Sequence, residues 1–110
     1  MTREEILEGN KLIAEFMGFS NVEVFNNSLL LSHPIEGIWY YDPLWYLDYH
    51  KDWSILMPVV DKINNVWFNL SRTRQKQIEI TFRAIQNRIL LVNLSESHRL
   101  VIKFIKWHKI

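Results

Sequence analysis

The chain of 110 residues contains no cysteine, which excludes disulfide scaffolds and cysteine-ligated metal centres. Glycine and proline are scarce, three of each, and three isolated glycines cannot build a phosphate- or dinucleotide-binding loop. There is also no Gly-x-Ser-x-Gly elbow and no His-Glu-x-x-His helix, so the expectation is a non-enzymatic protein with no cofactor. Long apolar runs are missing. The longest, Ile55 to Val60, falls far short of the roughly 18 residues a membrane span needs, so no membrane partner is expected. The opening residues mix charges and lack the apolar stretch of a secretory signal, which makes a cytoplasmic location the expectation. What is present, 48% hydrophobic and 14% aromatic residues, suits one folded domain over 1–110 rather than a disordered chain.

The net charge of +1 hides an asymmetry. Residues 1–65 carry four basic side chains against ten acidic ones, a balance of −6, and residues 66–110 carry nine against two, a balance of +7. Clustered charge of one sign selects partners of the other sign and speeds their association. The plainer alternative is that the two halves interleave and neutralise each other within the fold.

Thr2 followed by Glu5 is a capping-box pattern, and Ile6, Ile13, Phe16 and Met17 recur at helical spacing until Gly18, predicting a helix over about 3–17. Asn26-Asn27 between Val22–Phe25 and Leu29–Leu31 suggests a short hairpin, followed by a long loop with short strands from His33 to Asp52. Asp52 is placed to cap a second helix over about 53–64, in which Pro58 predicts a kink or a later start. The period then changes to two. Val66, Phe68 and Leu70, then Ile78, Ile80 and Phe82, then the run Ile89 to Val92 predict three strands. Ser95 or Ser97 can cap a last helix over about 96–108. The expected fold is therefore α+β: an antiparallel β-meander over about 66–92 packed with three helices.

Four groups of residues carry a likeness. Ala14–Gly18, Tyr49–Trp53, Leu56–Ile63 and Phe104–Trp107 resemble small proteins of Bacteroidetes and their phages that are similar to the phage ABA-sandwich domain family. The resemblance implies a layered fold with helices on both sides of a sheet, and a bacterial or phage origin. It implies no catalytic residue.

Seven of the fifteen aromatic residues fall between Ile38 and Trp53, with Asp42, Asp48 and Asp52 among them. Aromatic rings dominate binding hot spots, and carboxylates can stand in for phosphates in a basic groove. The candidate partner-binding residues are Trp39, Tyr41, Trp45 and Tyr46 as anchors, with Asp42 and Asp48 pairing to basic groups. The corresponding function is a phage-type binding protein acting on a host protein or ribonucleoprotein, for example an inhibitor of an RNA-guided defence nuclease. The plainer reading folds these rings into the core. A second candidate is a basic hairpin turn at Arg72, Arg74 and Lys76, with Arg88 nearby, gripping RNA or DNA phosphates while Trp67 or Phe68 stacks on a base. A third is a structural homo-oligomer joined by the acidic and basic halves. Asp48, His50 and Asp52 alternate in a way that could face a metal, but a histidine beside a helix start more often caps or packs, so no metal site is assigned. His33, His98 and His108 share no helical ligand spacing and are expected to be surface or edge residues.

Overall fold

The computed structural model describes the backbone of residues 2–19, 22–25, 28–35, 38–43, 49–90 and 93–109, and side chains within 2–19, 49–87 and 93–109. Among the described residues there are four helices: α1 (Arg3–Phe16), α2 (Trp53–Asn69), α3 (Arg72–Leu90) and α4 (Leu94–His108). Between α1 and α2 lie three strands, β1 (Val22–Phe25), β2 (Ser28–Ile35) and β3 (Ile38–Pro43), paired antiparallel in the order β1-β2-β3. Val22 stands opposite Leu31, and Ser32 opposite Tyr41. This sheet borders α1.

The helix ends follow local chemistry. Thr2 caps α1 by accepting from the Glu5 amide at 3.2 Å, and Gly18 takes the positive φ of 100° that ends the turn beyond it. Asp52 caps α2, accepting from the Ser54 amide at 2.8 Å. Those two bonds from Ser54, side chain first, hold the Asp52 carboxyl below its ordinary pKa. Pro58 sits inside α2, which begins at Trp53 and runs on to Asn69. At α4 the cap is Asn93, which accepts from the Glu96 amide at 3.1 Å, and not Ser95 or Ser97.

The expected meander over 66–92 is overturned, and with it the α+β class built on it. Residues 66–69 finish α2 and 72–90 form α3. The core is helix on helix: Ile13, Ala14, Leu56, Val59, Val60, Ile63, Ile78, Ile85, Val101, Phe104 and Ile105 are buried together. Of the residues whose side chains are described, 84% are helical. The physical reason lies in two apolar side chains that face water. Phe68 is 76% exposed and Ile80 is 87% exposed, and these two complete the apparent alternation. Without them the pattern is helical: Ile78, Thr81 and Ile85 are buried at i, i+3 and i+7. The layered arrangement that the phage-family likeness implies, with a sheet as the central layer, is likewise not the arrangement of this core. Among the described residues no helix is long and apolar enough to cross a membrane.

Candidate functional site

Helices α3 and α4 pair antiparallel, and the guanidinium of Arg74 lies over the Trp107 ring at 4.4 Å. That contact brings the start of α3 to the end of α4. Arg72, Lys76 and Arg83 recur at i, i+4 and i+11 on one side of α3, and Arg99, Lys103 and Lys106 at i, i+4 and i+7 on one side of α4. All six are exposed. Arg83 pairs with Glu79 at 2.8 Å, Arg99 pairs with Glu96, and Lys109 reaches Glu15 at 3.6 Å. Arg72, Arg74, Lys76, Lys103 and Lys106 form no ion pair among the described residues.

Two of these cations, Arg72 and Arg74, work against the helix that carries them, whereas Lys106 sits favourably in the last turn of α4. Arg72 and Arg74 stand at the positive end of the α3 dipole, where a cation costs a few tenths to about 1 kcal/mol, and the first turn contains no acidic residue to compensate. Ser71 caps the start of α3 by accepting from the Arg74 amide at 3.3 Å. The corner between α2 and α3 is pinned from the other side, where Gln75 donates to the Trp67 carbonyl at 2.9 Å. The expected basic hairpin turn is thus the first turn of a helix. Arg72, Arg74 and Lys76 are brought together there; Arg88 lies on α3 with its side chain outside the described residues.

The two aromatic residues beside this corner differ. Trp67 is stacked face to face on Phe82, with ring centroids 4.2 Å apart and planes 2° apart, so one face of its ring is taken inside the fold. Phe68 is the open one.

Part of the charge asymmetry is spent internally. Glu4, Glu5 and Glu8 of α1 share a surface cleft of about 310 Å³ with Lys106, and Glu15 meets Lys109. The acidic first helix therefore lies against one flank of basic α4, leaving Lys103 and the outer side of α3 as the flank without acidic neighbours on α1.

Of the aromatic–acidic candidates, Trp39, Tyr41 and Asp42 lie on the backbone of β3, with side chains outside the described residues. Trp45, Tyr46 and Asp48 lie outside them altogether. The end of the aromatic stretch that is described turns inward: Tyr49 is buried and Trp53 half-buried against the core.

A buried polar cluster went unread in the sequence. His98, expected at the surface or an edge, is only 2% exposed, on the inner side of α4. Its Nε2 donates to Asn10 Oδ1 at 2.7 Å, and Asn10 Nδ2 donates to His50 Nδ1 at 2.9 Å. One amide thus joins α1, the segment before α2, and α4. Burial, aided by the neighbouring His50, pushes the pKa of His98 down to about 4, so the ring is neutral at neutral pH. The Ser97 hydroxyl beside it in sequence is buried with no hydrogen-bond partner among the described residues. Asp52 is engaged in capping and His50 in this cluster, and the described residues contain no group of three carboxylates or histidines placed to hold a metal ion.

Compared with protein-family models, curated proteins and solved structures, the chain matches none. The likeness to the phage family therefore rests on its short motifs alone.

Proposed function

We propose that the protein is a non-catalytic nucleic-acid-binding module that holds a phosphate backbone with the outer face of the α3–α4 pair. One observation carries this reading: Arg72, Lys76 and Lys103 are exposed on neighbouring helices, lack acidic partners among the described residues, and in the case of Arg72 stand where they weaken their own helix. Exposed cations without intramolecular partners are the usual grip for phosphates, and they supply affinity without reading sequence. The reading as an inhibitor of a defence nuclease rests on the aromatic segment and is carried by sequence alone.

The test is charge reversal. Lys76→Glu and Lys103→Glu, made singly and together, are expected to weaken binding of labelled oligonucleotides progressively in anisotropy titrations. Glu79→Gln, which frees Arg83, is expected to strengthen it. Binding indifferent to all of these changes contradicts the reading.

A further inference from the structure

The corner between α2 and α3 combines two features that phosphate binding alone does not require. A phenyl ring, Phe68, stands 76% exposed in the last turn of α2. Arg72 opens α3 four residues later, so their Cα atoms lie at most about 15 Å apart. Lys76 follows Arg72 on the same side of the helix, one turn and about 6 Å further on. An exposed phenylalanine at a helix end forgoes the stabilisation that burial would contribute. Trp67, the adjacent ring, takes the structural place by stacking on Phe82, so the fold does not need Phe68 for packing.

Resting on the nucleic-acid reading above, we propose that this corner is a site for single-stranded nucleic acid, with Phe68 as the stacking platform for a base and Arg72 and Lys76 holding the flanking phosphates. A duplex keeps its bases stacked on each other and offers a phenyl ring no free face. A single strand offers one at every nucleotide, and the pairing of cations with an open aromatic ring is how such strands are gripped without regard to sequence. Arg74 has a different part. Its stacking on Trp107 fixes the start of α3 against α4 and so holds the direction in which Arg72 and Lys76 project.

The experiment compares an oligothymidylate with a duplex of equal length, titrated against the intact protein and against Phe68→Leu and Phe68→Trp. Leucine keeps the apolar bulk and removes the π face, and the exposed position leaves folding intact, which a thermal melt verifies. The expected result is a loss of roughly tenfold or more in single-strand affinity for Phe68→Leu, recovery with Phe68→Trp, and no change on the duplex. Equal effects on both nucleic acids, or none on either, overturn the stacking site while leaving the phosphate reading in place. Failure of the unaltered protein to bind either one overturns both.

Discussion

The imidazole of His98 donates to the amide oxygen of Asn10 at 2.7 Å, across 88 positions of sequence, and both side chains are buried. The same amide donates to His50, so a single side chain on α1 satisfies polar groups on two other segments. Removing it leaves a buried N–H with no acceptor, and a buried polar group without its partner costs about 1–3 kcal/mol beyond the lost bond. Asn10→Leu, similar in size and unable to accept, is therefore expected to lower unfolding free energy by about 2–4 kcal/mol in urea titration. A change below about 0.5 kcal/mol contradicts this role for the amide.

The same residue sets a pH dependence. His98 has an ordinary pKa of 6.5 and a folded-state value of about 4. As pH falls past 6.5 the unfolded chain takes up the proton and the folded protein does not until near pH 4, so stability drops across that window. Above pH 6.5 this group contributes no pH dependence. At about 1.4 kcal/mol per unit the loss approaches about 3 kcal/mol by pH 4. Melting temperatures measured from pH 7 to 4 are expected to fall, and to fall less steeply in a His98→Gln variant.

At Gly9, α1 packs directly against Ile102 of α4. A Cβ there would come within 2.3 Å of Ile102 Cδ1 and 3.1 Å of its Cγ1. Alanine gains about 1 kcal/mol in helix propensity over glycine, and that gain opposes the clash. Gly9→Ala is expected to destabilise by about 1 kcal/mol, and to become neutral or stabilising when Ile102→Val removes the nearest atom. A double-mutant cycle reads the coupling directly, and additive effects contradict the contact.

Pro58 lies inside α2, where it deprives the Ser54 carbonyl of its helical donor, and its ring is exposed. Pro58→Ala leaves no cavity and restores the bond. It also loosens the unfolded chain, an opposing effect of about 0.4–1 kcal/mol. The net expectation is stabilisation by about 1–2 kcal/mol, read as a higher denaturant midpoint.

Those parts of the fold governed by local chemistry were legible. Thr2 with Glu5, and Gly18, bracket α1; Asp52 marks the start of α2; and the continuous apolar face of residues 100–105 marks α4. Helix α3 was not legible, because Phe68 and Ile80 imitate a strand period while facing solvent. The contrary signal was present: from Val59 to Ile110 there is neither glycine nor proline, and the run Arg72–Gln77 is rich in helix-favouring residues, a poor recipe for a meander that needs tight turns. His98 escaped because its partner comes from the far end of the chain, which no local period can reveal. The cations at residues 72–76 stand at a helix start rather than at the hairpin tip that the apparent strand period suggested.

The salt dependence of oligonucleotide binding tests the central claim most directly. Phosphate contacts release counterions, and each contributes about −0.7 to the slope of log affinity against log salt for a single strand. With four or so contacts the expected slope is about −3, and an Arg72→Glu, Lys76→Glu double variant should bring it toward about −1.5. A slope near zero, or one that the double variant leaves unchanged, contradicts a phosphate-binding face on α3 and α4.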